Sequence, residues 1–400
     1  MAKFENSDLK LASWLQHIQP SAMQRSVGLS LDEEFISFAL GLPAKELFPI
    51  KEYREAINRV LNKGETSLQY TPPLRQLKQQ IVNLMAHRGV ICEEDEIFLT
   101  SGAQQGICFL IKLLMNIGDP VLVEEFIYPG FLQVIKPYQP NILTVKTDLH
   151  DGIDVDAIEK LLTQGQKPAF IYTITDGHNP IGVSISHDKR KRLVQLAREY
   201  QVPIIEDDPY GLLNYDDKFL PPLKAYDKDW VLYVGSFSKI LAPSLRVGWT
   251  IVPKELTAKL SIIKEGTDIN IASLTQQAVS EFVKLDYLMK HIHQLKCEYK
   301  QRRDIMLESI NTLFPKNITY TYPMHGFFTW LQFPTHIDAH ALLDYSINEL
   351  KIGYIPGNDF YIGEKVKGQN CIRLNFSYSN PQKIVKGVQA LAHLFQQFSL

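Results

Sequence analysis

Four cysteines in 400 residues, Cys92, Cys108, Cys297 and Cys371, are too few and too scattered for a disulfide scaffold, and none stand at the paired spacing of a zinc site. They read as free thiols of a reducing compartment, and no metal site is expected. Charge of one sign is also missing. The 42 lysines and arginines against 44 aspartates and glutamates leave a net charge of -2, so there is neither a nucleic-acid footprint nor a polybasic membrane patch. No apolar run approaches a membrane span, and the stretch from Met1 to Asp8 lacks the apolar core of a signal peptide. A cytoplasmic protein with a small-molecule ligand is expected, with no nucleic-acid or membrane partner. Neither a three-glycine dinucleotide fingerprint nor a Gly-Lys-Ser/Thr phosphate loop occurs, which sets aside two common nucleotide chemistries.

What is present is an ordinary globular composition, 45% apolar and 22% charged, at a length that suits about two domains. The middle of the chain alternates β-branched or apolar runs at 97–100, 121–124, 170–174, 202–206, 231–235 and 247–252 with longer amphipathic stretches. That is the pattern of a mostly parallel α/β sheet covered by helices. Ser186 is placed to cap a crossover helix whose apolar face is Leu193, Leu196 and Ala197. After about residue 272 a long helical stretch runs through Leu307. Strand-like runs at 327–333 and 372–378 follow, then a closing amphipathic helix with Ile384, Val385, Val388, Leu391, Leu394 and Phe395 on one side. The expected organisation is an extended arm over 1–50 contributing to a small domain, a large domain over 51–285, and a small α+β domain over 286–400.

In such a sheet the ligand site lies beyond the carboxyl ends of the strands, so the residues that follow each strand are informative. After the first comes Ser101-Gly102-Ala103-Gln104, opening an apolar helix whose N-terminal amides and dipole suit a phosphate. After the run ending near Thr175 comes Asn179-Pro180-Ile181-Gly182, a turn that presents an amide. After Ile205 come Glu206, Asp207, Asp208 and, two further on, Tyr210. Acids behind a buried strand ask for a cationic partner. After Val234 comes Ser236-Phe237-Ser238-Lys239, with Arg246 seven residues beyond the lysine. A lysine between hydroxyls and an arginine can hold a carbonyl as a Schiff base beside a phosphate, and pyridoxal phosphate carries both groups. Each motif alone also has a purely structural use as a cap, a turn or a surface pair. It is their convergence at four strand ends that favours a site.

Together these motifs resemble the fold type I pyridoxal-phosphate enzymes, specifically the class I/II aminotransferases, and within them the branch with aminoadipate and kynurenine aminotransferases. The likeness runs from about Phe38 onward. It implies an enzyme that moves an amino group from an L-amino acid to a 2-oxo acid by ping-pong chemistry. Lys239 would form the Schiff base and shuttle the Cα proton, Asp207 would keep the pyridine nitrogen protonated, and Tyr210 and Asn179 would bond the phenolic oxygen. Ser236, Ser238, Arg246 and the Ala103-Gln104 backbone would hold the phosphate, although the family often has serine where Ala103 stands. Tyr128 would stack on the ring, and Tyr70 would reach the phosphate of the neighbouring subunit, implying a homodimer with shared sites. Arg373 would clamp the substrate carboxylate near Gly41 and Asn179, and Arg25 would meet the substrate side chain. Two positions depart from the family pattern near the expected rim: Arg75, where glycine is usual, and His325, in place of the first of two glycines. Decarboxylation or β-elimination on the same cofactor is the alternative reaction. The ligand-sensing domain of a transcription regulator is a more distant one.

Overall fold

The computed structural model describes residues 12–15, 34–216, 218–363 and 367–397. Its centre is a seven-stranded sheet of β1 (Ile97–Thr100), β2 (Pro120–Glu124), β3 (Asn141–Val145), β4 (Ile171–Ile174), β5 (Ile204–Asp207), β6 (Val231–Ser236) and β7 (Gly248–Ile251). The spatial order is β1-β7-β6-β5-β4-β2-β3. Neighbours from β6 through β3 pair in parallel, whereas β7 runs antiparallel to both β6 and β1. The sheet is thus mixed and mostly parallel.

The central strands are apolar because helices cover both faces; every residue of β4, β5 and β6 is buried. Each fully buried Ile of β5 contributes about 1.5–3 kcal/mol relative to exposure. β3 is absent from the sequence reading. It is one of the two edge strands, exposed at Asn141 and Thr144, and so carries no continuous buried apolar run.

Helix α1 (Arg75–Ala86) packs Leu77, Ile81, Leu84 and Met85 inward, and α2 (Ala103–Leu114) packs Ile107, Phe109, Leu110 and Ile111. Helix α3 (His187–Tyr200) starts after Ser186, as expected, although the Ser186 hydroxyl makes no cap bond. The long helical stretch divides into α4 (Ser273–Lys284) and α5 (Tyr287–Leu313), because Asp286 adopts a left-handed conformation with φ +58°. The closing helix is α6 (Pro381–Gln397). Ile384, Val388, Leu391, Leu394 and Phe395 are buried in it, but Val385 is 44% exposed and does not belong to the buried face. One residue beyond Ile384, it sits about 100° further round the helix.

A second, antiparallel sheet has the order β8-β9-β11-β10, from β8 (Thr319–Tyr320), β9 (Phe328–Gln332), β10 (Ile355–Pro356) and β11 (Cys371–Asn375). The segment before Gly41 is stitched to this part of the fold. Ile36 and Ser37 pair in parallel with Ile352 and Gly353, and the Asn375 amide donates to the Phe38 carbonyl at 2.8 Å.

Candidate active site

Beyond the carboxyl ends of β1, β4, β5 and β6 lies a cavity of about 420 Å³. Of the residues singled out in the sequence, Gly41, Ala103, Gln104, Tyr128, Asn179, Asp207, Tyr210, Ser236, Ser238, Lys239 and Arg246 line it. Arg373 adjoins them. Tyr70 stands apart at 81% exposure, and Arg25 lies outside the described residues.

Strand alternation decides which of three consecutive acids faces the cavity. Glu206 turns to the opposite face, where it accepts from the Thr175 hydroxyl at 2.7 Å and from the Leu223 and Lys224 amides at 2.6 and 2.8 Å. Asp207 faces the cavity and accepts from the Tyr172 hydroxyl at 2.7 Å through Oδ2, while its buried Oδ1 has no partner among the described residues. Burial first, then the neighbouring charge of Asp208, raises its carboxyl from 3.8 to about 7, against the lowering effects of Tyr172 and Lys239. Tyr172 was not singled out in the sequence. The register pairs Ile174 with Asp207 and Tyr172 with Ile205, so the period of two already places Tyr172 on the same face.

Lys239 follows β6 and donates from Nζ to the Gly41 carbonyl at 2.7 Å, with the Phe327 ring 5.9 Å away. Burial lowers its amine to about 8, helped by the like charges of Arg246 and Arg373 and opposed by Asp207. Ser236 and Ser238 join their hydroxyls at 3.0 Å. Arg246 has a positive φ of 53° and points its guanidinium back to the Ser101 carbonyl at 3.1 Å, at the mouth of α2. The backbones here are tightly apposed. A Cβ on Gly248 would meet Gly102 and Ala103 backbone atoms at 2.7–2.9 Å, and one on Gly102 would strike Arg246 Nη2 at 2.4 Å. On the far wall, Tyr128 donates to Gln104 Oε1 at 3.3 Å, and Tyr210 meets Phe327 edge-on with centroids 5.4 Å apart.

Arg373, on β11, is wholly buried and has no carboxylate partner among the described residues. Nη1 donates to Asn179 Oδ1 at 2.6 Å and Nη2 to the Ala39 carbonyl, while Phe328 and Phe360 lie over the guanidinium at 4.1 and 4.8 Å. Burial alone lowers it to about 9. A desolvated cation of this kind is poised for a carboxylate. Neither departure from the family pattern lines the cavity. Arg75 is an exposed partner of Glu94 at 2.8 Å, and His325 is buried behind the wall, 2.9 Å from Ser184 Oγ.

The residues present suit pyridoxal phosphate. The orphaned Asp207 Oδ1 needs a donor such as a protonated ring nitrogen. The amides opening α2, the paired serines and Arg246 make an anion cradle, and Lys239 brings a primary amine to the same cavity.

The family model "Aminotransferase class I and II" matches residues 33–391. The chain is 34% identical to the aromatic-amino-acid aminotransferase 1 of Thermococcus litoralis, over 95% of this chain and 92% of that one. It is 32% identical to the 2-aminoadipate transaminase of Thermus thermophilus, over 94% and 93%. The crystal structure of Pyrococcus horikoshii kynurenine aminotransferase in complex with PMP superposes with a TM-score of 0.91 at 32% identity, covering 98% of each chain.

Proposed function

The chain belongs to the class I and II aminotransferases and is a pyridoxal-phosphate-dependent transaminase of fold type I acting on amino acids and 2-oxo acids, and we propose the following division of labour among its residues. Decarboxylation, β-elimination and regulatory sensing are not favoured. When bound, the cofactor supplies an electron sink for the pair left as a substrate Cα–H bond breaks.

Lys239 would hold the cofactor through Nζ and, with its amine free, would take and return the proton of substrate Cα. An amine lowered to about 8 is available neutral near physiological pH, as a base must be. Asp207 holds a proton on the ring nitrogen, and Tyr172 fixes that carboxylate in place. Tyr210 and Asn179 would bond the cofactor's phenolic oxygen, Tyr128 would pack against its ring, and Ser236, Ser238, Arg246 and the Ala103-Gln104 amides, which line the same cavity, would take the phosphate. Arg373 receives the substrate α-carboxylate, with Asn179 and the Gly41 segment beside it. By family likeness, Arg25 would contact the substrate side chain. The highly exposed Tyr70 supports a homodimer in which this tyrosine completes the neighbouring subunit's phosphate site. Four free cysteines support residence in the cytoplasm.

One observation carries the assignment: a buried carboxylate oxygen without a partner shares a cavity with a lysine of lowered proton affinity. The test is spectroscopic and chemical. The purified holoenzyme should show a visible absorbance band that borohydride traps onto Lys239, and Lys239→Ala should lose both the trapping and amino-group exchange. A panel of aromatic, long aliphatic and acidic donors with 2-oxoglutarate and pyruvate identifies the substrates. Undiminished exchange in Lys239→Ala overturns the role given to the lysine.

A further inference from the structure

Behind the cavity wall lies a buried ionic cluster that none of the roles above uses. Asp176 stands two residues past the end of β4 and three before Asn179. Asp208 follows the end of β5 directly. Arg88, just beyond the carboxyl end of α1, donates through Nη2 to Asp176 Oδ2 at 2.7 Å and to Asp208 Oδ2 at 3.1 Å, and is 5% exposed. Arg190, from α3, donates to Asp176 Oδ1 at 2.5 Å. His325 Nδ1 lies 3.6 Å from that same oxygen. Two cations therefore offset two anions in a site closed to water. Among these contacts Arg88 alone joins the two strand ends.

We propose that Arg88 is a positioning residue for the transamination site, locking the turn that carries Asn179 to the turn that carries Tyr210 and offsetting the Asp208 charge that lies next to Asp207. This rests on the assignment of Asp207 as the ring partner.

The second link is geometric. Asp208 Oδ1 accepts from the Gly211 amide at 2.7 Å, closing the turn that presents Tyr210, and Oδ2 also accepts from the Tyr233 hydroxyl at 3.0 Å. The Gly211 backbone presses on this pair so closely that a Cβ there would meet Arg88 Nη2 at 2.2 Å and both Asp208 oxygens at 2.5 Å. On the other strand end, Asp176 precedes Gly177, whose φ of +60° leads the chain into the Asn179 turn.

The groups facing the two aspartates come from several elements. Tyr172, Lys239, Tyr128 and Tyr210 face Asp207. Arg88, Tyr233, Glu206 and His325 surround Asp208, and Asp176 lies across Arg88 from it. Burial lowers His325 to about 4, so it is neutral at physiological pH. Burial would raise the Asp176 carboxyl, but Arg190, His325 and Arg88 hold it well below the usual range. Of this set, Arg88 is the cation bonded directly to Asp208.

If the proposal holds, charge changes in the cluster move the proton affinity of the bound cofactor in opposite directions. In the holoenzyme, Asp208→Asn keeps the shape, removes an anion and should lower the pH midpoint of the visible band by about one unit, the effect of a nearby charge at an effective dielectric near 20. Arg88→Gln removes the offsetting cation and should raise it. Arg88→Lys should restore the wild-type midpoint, and the double variant Arg88→Gln/Asp208→Asn should fall between the singles. Cofactor dissociation, followed by dilution and absorbance, should quicken about tenfold or more in Arg88→Gln as the two turns uncouple. Midpoints that stay put, or that move the same way in Arg88→Gln and Asp208→Asn, overturn the proposal. If Arg88→Gln fails to fold, the isosteric Asp208→Asn decides alone, and an unchanged midpoint there refutes it. An Asp207→Asn variant with wild-type midpoint and cofactor retention would instead sink the ring-partner assignment.

Discussion

Replacing Asp207 by asparagine should make the cofactor-free protein more stable at neutral pH while removing the carboxylate proposed to meet the cofactor's ring nitrogen. Its carboxyl is buried, Oδ1 has no partner among the described residues, and burial raises the group from the ordinary 3.8 to about 7. A folded-state pKa raised above the unfolded one means that the folded protein binds the proton more tightly. Its stabilising effect is complete below about pH 4 and is lost as pH rises through about 7. The difference of 3.2 (7 minus 3.8) corresponds to about 4 kcal/mol by pH 8. Asparagine cannot ionise, and its side-chain oxygen still accepts from Tyr172. The apoproteins of the two forms, unfolded by denaturant at intervals from pH 4 to 8, should therefore diverge as pH rises, with Asp207→Asn the more stable by up to that amount. Added pyridoxal phosphate should narrow the gap, because the wild-type carboxylate gains its missing partner and the variant does not. Parallel curves for the two apoproteins would falsify the claim that an uncompensated carboxylate sits at this position.

Other substitutions test neighbouring claims. Arg373→Gln should lower kcat/KM for amino acids by about 10²–10³, the loss of a desolvated charge-assisted pair, while amines without a carboxylate should react as with the wild type; equal losses for both would remove its clamping role. Gly102→Ala should weaken cofactor binding about tenfold or more, because its φ of +81° disfavours a side chain and its Cβ would displace Arg246; unaltered affinity by titration would contradict the cradle. Sedimentation should show a dimer, and mixing inactive Lys239→Ala with inactive Tyr70→Ala chains should recover about a quarter of wild-type activity, since half the dimers carry one intact site. Recovery of nothing would place Tyr70 outside the neighbouring site.

Much of this arrangement was legible because strand ends and turn residues are local signals. The run from Ser236 to Arg246 and the acids after Ile205 could be read directly, and the register of β4 against β5 then separates Asp207 from Glu206. The less visible parts depend on pairings between distant segments. Arg88 reads as a charge after an amphipathic helix, and nothing local shows that it meets carboxylates 88 and 120 residues away. Phe360 likewise gives no hint that it covers Arg373. The edge strand β3 was missed because half-exposed strands do not advertise themselves by apolar runs, and the break at Asp286 because an aspartate in a left-handed conformation leaves no breaker such as proline or glycine to read.

The stitching of residues 36–42 to the small sheet has a consequence for engineering. Phe38 accepts from β11, Ala39 accepts from Arg373, and Gly41 accepts from Lys239. The piece that accepts from the Arg373 guanidinium and the piece that accepts from the Lys239 amine are thus one short ribbon. Anyone wishing to retune which acids the enzyme takes should exchange that ribbon together with β11 as a single cassette. A graft of either alone would leave Lys239 and Arg373 set to two different frames.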